Sequence, residues 1–257
     1  MRMQFAYLGS GSRGNAAIIE AGQTTLMLDC GFTVKETLAR LIRLERDGSE
    51  INGILVTHEH SDHVAGVGAL ARRLGIPVWA TSGTFLASEK RMGKVPAMNV
   101  IEPGQRFTIG DIELNPFTVP HDAREPVQFV FSDGNVRLGI LTDVGQSTPH
   151  IEAMLSGCDS LALECNHDRK MLMEGPYPAA LKSRVAGGQG HLDNLTAAKL
   201  LAQLDSSRLQ HLVAVHLSET NNTPALARHA LCTEAGCDPD FIQVADQDQG
   251  LPWHAIA

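Results

Sequence analysis

A run of six residues, His58-Glu59-His60-Ser61-Asp62-His63, limits the folds that this chain can adopt. It directly follows the strand-like segment ILVT and precedes a helix predicted over residues 64–74. Four of its side chains, three imidazoles and one carboxylate, are potential metal ligands. Because the end of a strand is rigid, these side chains can converge on one point without the ordering of a long loop.

The ligand types in this run suit Zn²⁺, Mn²⁺ or iron. Four ligands from six residues fit poorly around one tetrahedral ion, but they can serve two ions about 3.5–4 Å apart, as in two-metal hydrolases. The alternative is a polar helix cap whose histidines are incidental, and so dense a cluster argues against it. The run therefore predicts two divalent metal ions and a hydrolase.

The length and composition are those of an ordinary globular protein, and a single domain is predicted over residues 1–257. No apolar run approaches the roughly 20 residues that a membrane-spanning helix requires. The N-terminal segment lacks a basic stretch followed by an apolar one, so no signal peptide is expected. The sequence therefore predicts a cytoplasmic protein without a membrane partner.

The five cysteines form no CxxC pair, and their odd number favours buried free thiols over a disulfide framework or a structural zinc site. The net charge of −8 argues against broad affinity for polyanions. This net charge does not exclude a local basic groove. Its candidate contacts, each more simply a solvated face, are Arg72-Arg73, Arg91/Lys94, Arg169-Lys170 and Lys182/Arg184.

Strand-like and helix-like segments alternate in the first third of the chain, and the middle is rich in strands. Further helices are predicted over residues 149–156, 194–204 and 224–235. Residues 166–190 are expected to be irregular, with one helix near residues 178–185. Two strand-rich sets with helices outside indicate an α/β (α+β) fold in which two sheets pack face to face.

The pattern HxHxDH resembles the signature of the metallo-β-lactamase fold superfamily. That resemblance implies a four-layer αββα sandwich with further ligands after later strands. His121 follows the segment NPFTVP, Asp143 follows VRLGILT and His216 follows LVAV, which is the family's order of a lone His, an Asp and a final His. The resemblance covers most of the chain.

By the same resemblance, seven residues hold the two ions, and Asp29 matches an aspartate that supports the histidine cluster. The seven are His58, His60 and His121 for one ion, Asp62, His63 and His216 for the other, and Asp143 as the bridge.

The chemistry depends on the leaving group. Bridged ions supply hydroxide at neutral pH, and an alkoxide leaves poorly without a general acid. In the nucleic-acid-cleaving branch of the superfamily, which is similar to transfer-RNA 3′ processing nucleases, a His at the place of His191 protonates the leaving oxygen, and a Glu at the place of Glu164 orients it. The resemblance thus implies His191, Glu164 and Asp62 as catalytic residues. The alternative for His191 is a loop residue that caps the following helix.

Four further motifs resemble those of the YycJ/WalJ-type proteins, bacterial exonucleases of this fold linked to 5′-to-3′ DNA degradation and repair. The motifs are Ser10-Gly11-Ser12-x-Gly14-Asn15, Glu164-x-Asn166-His167-Asp168, Gly190-His191-Leu192 and His216-Leu217-Ser218-x-x-Asn221-Asn222-Thr223-Pro224. Asp193 departs from the pattern, which has Ser in Gly-His-Leu-Ser-Asn, and it adds negative charge near the expected phosphate path.

Five polar residues of these motifs are expected to line the cleft and donate hydrogen bonds to a phosphate. The alternative is turn chemistry, which Ser and Asn favour by themselves. The five are Ser12, Asn15, Asn166, Ser218 and Asn222.

The leading hypothesis is a metal-dependent phosphodiester hydrolase that degrades nucleic acid, DNA rather than RNA, from the 5′ end. A second is a thioester or small-molecule ester hydrolase similar to glyoxalase II, which needs no general acid because a thiolate leaves easily. A third is a metal-binding sensor without turnover. The expected cofactors are two divalent ions, Zn²⁺ or Mn²⁺ with iron as a further option, and the oligomeric state is left open.

Overall fold

The computed structural model describes residues 2–257. Within this range the chain forms two seven-stranded sheets that lie face to face, with helices against both outer faces. These four layers confirm the αββα sandwich and the α/β class expected from the sequence. The extent of the single domain, residues 1–257, stays a prediction.

The two sheets divide the strands of the described residues equally. The first sheet consists of β1 (Met3–Gly9), β2 (Ala16–Ala21), β3 (Thr24–Leu28), β4 (Gly53–Leu55), β5 (Val78–Ala80), β6 (Met98–Val100) and β14 (Leu251–Ile256), in the order β14-β1-β2-β3-β4-β5-β6. The second consists of β7 (Phe107–Ile109), β8 (Ile112–Thr118), β9 (Val127–Ser132), β10 (Arg137–Leu141), β11 (Ser160–Glu164), β12 (His211–Val215) and β13 (Ile242–Val244), in the order β13-β12-β11-β10-β9-β8-β7.

The α-helices of the described residues lie between strands along the chain, and most of them cover the outer faces of the two sheets. They are α1 (Val34–Arg43), α2 (Ser61–Val64), α3 (Val67–Leu74), α4 (Ser82–Met92), α5 (Pro149–Leu155), α6 (Arg169–Glu174), α7 (Ala179–Val185), α8 (Asn194–Gln203) and α9 (Pro224–Ala235).

Both sheets change from antiparallel to parallel pairing near the middle. In the first, β14, β1, β2 and β3 pair antiparallel, whereas β3 to β6 pair parallel. In the second, β7 to β10 pair antiparallel and β10 to β13 pair parallel. Because parallel strands end on the same side of a sheet, the residues that follow β3, β4, β10, β11 and β12 are collected at one edge of the sandwich.

Buried side chains form three clusters that hold the layers together. Between the sheets, Phe5 and Phe129 belong to one continuous cluster with side chains from both inner faces. On the outer side of the first sheet, Leu41 of α1 is buried against the strands. On the outer side of the second sheet, Leu201 of α8 and Leu231 of α9 are buried in the same way. This packing fixes the strand ends that carry the polar residues.

Several helices begin and end at residues suited to those positions. The side chain of Thr33 accepts a hydrogen bond at the start of α1, and Asp193 accepts two at the start of α8. Thr223 does the same for α9, with Pro224 at its first position. Gly236 ends α9 in the left-handed conformation, with φ of 63°.

Three segments differ from the sequence-based expectation. Residues 166–190 contain two helices, α6 and α7, because Asp168 caps an additional turn by accepting a bond from the Met171 N–H. The helix predicted over residues 64–74 is divided at Gly66 into α2 and α3. The pattern also gave no indication of α4, which begins after the capping residue Thr81.

No helix among residues 2–257 combines the length and the apolar character needed to cross a bilayer.

Candidate metal centre

The site lies at the edge where the parallel strands of both sheets end. The chain leaves β4 at Leu55 and reaches His58 after two residues, and α2 begins three residues later. From the second sheet, Asp143 follows β10, Glu164 ends β11 and His216 follows β12. Strand ends from two packed sheets therefore bring these side chains together.

Three of the site residues have a left-handed backbone. Asp29, Asp143 and His216 have φ of 59°, 52° and 56°, a region that residues other than glycine rarely adopt. Asp29 and His216 directly follow the last residue of β3 and β12, and Asp143 follows β10 after one intervening residue. At each of these three residues the left-handed backbone turns the chain away from the strand at the edge of the sheet. Strain of this kind is typical of functional sites.

The first ligand group consists of His58, His60 and His121, whose nitrogen atoms lie within 4.8 Å of one another. Nδ1 of His60 lies 3.2 Å from Nε2 of His121. Among the described residues, Nε2 of His58 is buried without a hydrogen-bond partner. A buried polar atom without a partner is costly, and a cation among the three nitrogens would satisfy it. These residues fit a metal ion.

The second group consists of Asp62, His63 and His216, again with ligand atoms within 4.8 Å. Oδ2 of Asp62 lies 3.4 Å from Nε2 of both histidines. Asp143 stands between the two groups, since its Oδ2 is 3.0 Å from Nε2 of His63 and its Oδ1 is 3.7 Å from Nε2 of His121. The geometry is that of two neighbouring sites with one carboxylate between them.

Asp29 holds the histidine turn from behind. Its Oδ2 lies 2.8 Å from Nδ1 of His63 and accepts a hydrogen bond of 2.8 Å from the Thr57 hydroxyl. Its Oδ1 accepts the Thr57 N–H at 2.8 Å. With Nδ1 engaged, His63 presents Nε2 to the site, which is the arrangement expected for a carboxylate that supports a ligand.

The close approach of Gly31 also positions the turn. A Cβ atom at this residue would lie 1.9 Å from the carbonyl oxygen of Asp62. The main chain after β3 therefore lies directly against α2, and only glycine leaves room for it. Asp62 is held in place by this backbone contact.

Glu164 is fully buried beneath the site and accepts several hydrogen bonds. Its Oε1 lies 2.9 Å from Nδ1 of His191 and 3.0 Å from Nδ1 of His216. Its Oε2 accepts the N–H groups of Val144 at 3.1 Å and Leu192 at 3.0 Å. The carboxylate thus orients His191, as the sequence predicts, and also one of the candidate metal ligands.

Burial and the neighbouring charges shift the pKa values of the candidate ligands in opposite directions. Burial, and next the charge of His63, lower the pKa of His58, which keeps it in the neutral, ligating form. Burial acts in the same direction on His216, but Asp143, Asp62 and Glu164 outweigh it and raise the pKa of His216 to about 10. A metal ion would displace the proton from His216, because a ligating imidazole is neutral.

The side chain of His191 is partly exposed, at 20%. Burial opposes protonation, but the carboxylate of Glu164 outweighs burial and raises the pKa of His191. Its Nδ1 faces Glu164, so Nε2 is the atom available for proton donation to a group in the cleft. This is the arrangement that a general acid requires.

Some of the candidate ligands border a cleft of about 340 Å³. His60, Asp62, Asp143, His191 and His216 line it. Three further residues line it, namely Tyr177, Arg184 and Asp122, of which the sequence analysis named only Arg184. Oδ1 of Asp122 lies 3.7 Å from Nε2 of His60 and 3.6 Å from Nε2 of His121. The Arg184 Nε donates to Oδ2 of Asp122 at 2.6 Å. The basic pair Lys182/Arg184 was the available signal, although the sequence favoured a solvated face for it.

Of the five residues expected to contact a phosphate, Ser12 lines the cleft. Asn15 is buried, and its amide lies 3.3 Å from Oδ2 of Asp62 and 3.1 Å from Nε2 of His63. The Asn166 amide donates to the His216 carbonyl at 3.0 Å. Both asparagines therefore contact candidate ligands instead of facing the cleft.

Ser218 and Asn222 lie elsewhere, in a separate depression beside Thr223 and Asp246. The Ser218 hydroxyl accepts the Asn221 N–H at 3.1 Å, and the Asn222 amide donates to the Cys165 carbonyl at 2.7 Å. Ser218 therefore serves a local turn, which was the alternative from the sequence, whereas Asn222 joins segments that are distant in sequence. A phosphate contact stays a prediction for Ser12.

The remaining thiols and histidines follow expectation in part. All five cysteines are free, but Cys232 and Cys237 are partly exposed, whereas burial was expected. His167 is buried beside Asn166, with its Nδ1 3.3 Å from the amide oxygen. His211, at the opposite end of β12 from His216, packs edge to face against His254 with ring centroids 5.1 Å apart.

Comparisons with known proteins agree with this architecture. Residues 24–217 match the family model described as a beta-lactamase superfamily domain. The exodeoxyribonuclease YycJ of Bacillus anthracis is 37% identical over 230 residues, which are 89% of this chain and 87% of that protein. The exodeoxyribonuclease WalJ of Streptococcus pneumoniae serotype 2 is 33% identical over 235 residues, which are 90% of this chain and 87% of that protein.

A solved structure shares the whole fold. The metallo-beta-lactamase fold protein YhfI from Bacillus subtilis superposes with a TM-score of 0.77 over 99% of both chains, at 17% identity. At that identity the likeness concerns the fold alone.

Proposed function

Since the chain belongs to the metallo-β-lactamase superfamily and, within it, to the YycJ/WalJ type, we propose that it is a metal-dependent exonuclease that hydrolyses DNA from the 5′ end. The coarser activity, metal-dependent hydrolysis of phosphodiester bonds, is that of its family. The proposal also includes the roles of the residues assigned below, the number of metal ions and the direction in which the DNA is digested.

The observation that carries the proposal is the position of His191 beside the ligand groups. It lines the same cleft as Asp62, Asp143 and His216, and Glu164 holds its Nδ1 at 2.9 Å. A thioesterase needs no acid for its thiolate leaving group, whereas the alkoxide of a phosphodiester does. A buried carboxylate that fixes and charges this imidazole therefore favours phosphodiester hydrolysis.

We assign the ligands of two divalent ions to the two groups described above. His58, His60 and His121 would hold one ion, and Asp62, His63 and His216 would hold the other, with Asp143 between them. Zn²⁺ and Mn²⁺ suit these ligands, with iron as a further option. Bound ions would supply an activated water and neutralise phosphate charge.

The other residues act around that centre. Glu164 orients His191 and raises its pKa, and His191 donates its Nε2 proton to the leaving oxygen. Asp29 fixes the ring of His63, and Asn15 restrains Asp62. Ser12 and Arg184 line the cleft and would contact the substrate backbone.

DNA rather than RNA is proposed as the substrate, because the relatives that match most of the chain are named exodeoxyribonucleases. The net charge of −8 means that binding relies on local contacts and on the metal ions instead of a broad basic surface. A cytoplasmic location and a role in DNA repair belong to the same proposal.

The decisive experiment is a time course on 5′- and 3′-labelled single- and double-stranded DNA and RNA, with Mn²⁺ and Zn²⁺ compared. We expect mononucleotides to be released first from the 5′ label of DNA. Release from the 3′ label would reverse the polarity, and equal rates on RNA would remove the preference for DNA. If the protein hydrolyses neither DNA, RNA nor bis-(p-nitrophenyl) phosphate, the proposed nuclease activity is contradicted.

A further inference from the structure

A second cavity adjoins the metal cleft at His191. It has a volume of about 410 Å³, and His191 lines both spaces. Gln146, His167, Arg169 and Met173 also line the second cavity. Among the described residues that line it, none belongs to the proposed ligand groups. The cavity therefore lies beyond the acid, away from the metal ligands.

We propose that this cavity binds the nucleotide that leaves the DNA, a deoxynucleoside 5′-monophosphate, and that Arg169 recognises its 5′-phosphate. The proposal rests on the proposed exonuclease activity. The general acid must touch the leaving oxygen, so the body of the leaving group extends past His191. The space next to it is this cavity, and its volume lies in the range of about 300–1,000 Å³ typical of small-molecule sites.

The reaction defines what occupies the cavity. Water adds its oxygen to the phosphorus, and the bond between phosphorus and O3′ of the terminal nucleotide breaks. His191 gives its proton to O3′, and the proton released by the water restores the acid. The phosphate stays on the shortened strand as its new 5′ end. The nucleotide that departs carries a 3′-hydroxyl and its original 5′-phosphate.

Arg169 is held in a fixed orientation at the cavity wall. Its Nε lies 2.9 Å from Oδ2 of Asp193, and its Nη2 donates to the Thr196 hydroxyl at 3.2 Å. Both partners belong to the start of α8, where Asp193 is the capping residue. In the described part of the chain these contacts occupy Nε and Nη2, which leaves Nη1 for an anion. Arginine is well suited to binding phosphate in this manner.

The ion pair between Arg169 and Asp193 explains why Asp193 can replace the Ser of the family pattern. The Asp193 side chain is 8% exposed, and Arg169 lies against it, so its negative charge is compensated locally. A carboxylate that would otherwise repel phosphate instead anchors the cation that binds it.

The remaining lining suits a nucleoside. Leu172, Met173 and Leu192 supply apolar surface for a sugar and a base, while Gln146 and His167 supply hydrogen-bonding groups. Mixed linings of this kind, apolar with a few polar groups, are typical of sites for small ligands.

The test uses thymidine 5′-monophosphate and thymidine as probes, with binding to the full chain measured by calorimetry with and without Zn²⁺. Met173→Trp fills the cavity from a side chain that is 63% exposed, so the fold is expected to tolerate it. Arg169→Gln removes the cation, and Arg169→Lys keeps the charge near Asp193. The matched controls are Ile42→Trp, at a residue 71% exposed on α1, and Arg106→Gln, whose side chain is 66% exposed.

We expect the parent protein to bind the monophosphate more tightly than thymidine. Met173→Trp and Arg169→Gln should weaken monophosphate binding at least tenfold, and Arg169→Lys should weaken it less, while the controls bind like the parent. Arg169→Gln should also abolish the preference for 5′-phosphorylated over 5′-hydroxyl oligonucleotides. Parent-like binding and preference in both Met173→Trp and Arg169→Gln would overturn the proposal.

The two proposals fail in different ways. If the parent degrades DNA while Met173→Trp and Arg169→Gln behave like it, the cavity assignment is wrong and the nuclease stands. If the parent degrades no DNA, the nuclease fails and the leaving-group role fails with it, whatever the cavity binds.

Discussion

Oε1 of Glu164 lies 2.9 Å from Nδ1 of His191. The same oxygen lies 3.0 Å from Nδ1 of His216, so one buried carboxylate orients both the proposed acid and a proposed metal ligand. A single side chain therefore fixes the position of the proposed acid relative to the proposed metal centre. This arrangement makes the role of His191 separable by mutation, because His191 can be removed while Glu164 continues to hold His216.

Replacing His191 by Ala should lower kcat on DNA by about 10²–10⁴-fold, since proton donation to an alkoxide contributes on that order. Turnover of bis-(p-nitrophenyl) phosphate should fall much less, because p-nitrophenolate leaves without a proton. Both rates are compared with metal content from elemental analysis, and His229→Ala, at an exposed residue on α9, serves as the control.

Unchanged turnover of DNA in His191→Ala would remove the acid role. Equal hydrolysis of a thioester by the variant and the parent, without activity on DNA, would favour the glyoxalase II-like alternative. Loss of a metal ion from the variant would mean that His191 is a ligand, as its position near Asp143 and His216 allows.

Replacing Asp29 by Asn should lower metal affinity by about 10–100-fold, as expected when a carboxylate that supports a ligating histidine is lost. Asn tolerates the left-handed backbone at this residue, so the fold should be retained. Affinity is measured by competition with a zinc indicator. Asp111→Asn is the matched control, because Asp111 also accepts a backbone N–H, from Gln23, but at a hairpin away from the site. Equal affinities in the two variants would contradict the support role of Asp29.

Removing divalent metal with a chelator should abolish hydrolysis and lower thermal stability. Metal that binds only the folded chain raises the free energy of unfolding by about 2.7 kcal/mol at a concentration 100 times its Kd. Elemental analysis after reconstitution should find two ions per chain, and the melting temperature should rise with metal concentration. Retained activity in the chelator, or one ion per chain at full activity, would count against the dinuclear centre.

Replacing Arg184 by Gln should weaken DNA binding and reduce the salt dependence of log Kd by about one unit of slope, the effect expected for one lost phosphate contact. Arg184 lines the cleft, and its side chain is 59% exposed. Kd is measured between low and high salt for the parent, Arg184→Gln and the control Arg106→Gln. An unchanged slope would show that Arg184 serves only to hold Asp122.

The parts of the site that the sequence predicted are those with local patterns. His58 to His63 lie within one run after an apolar strand. His121, Asp143 and His216 were assigned through the family resemblance, which expects each of them after an apolar segment. Alternation of apolar residues locates such strand ends, and the two-layer packing then brings them together. Glu164 and His191 were predicted only through resemblance, since 27 positions separate them along the chain.

The parts that could not be predicted depend on distant contacts. Asn15 reads as a turn residue, and only the packing of its loop against α2 turns its amide towards Asp62 and His63. Tyr177 and Arg184 reach the cleft because residues 175–190 fold over it, which no spacing in the sequence reveals. The ion pair between Arg169 and Asp193 likewise joins two helix starts that are far apart in sequence.

The left-handed backbone at Asp29, Asp143 and His216 sets a limit on directed evolution of this protein. Glycine would relieve about 1–2 kcal/mol of steric cost at each position. Selection for heat resistance of the metal-free protein would therefore reward glycine at three residues that we propose support or bind metal. Libraries built for thermostable variants must keep these positions constant or be screened for turnover in the same round, because the gain in stability and the loss of chemistry arise from the same substitution.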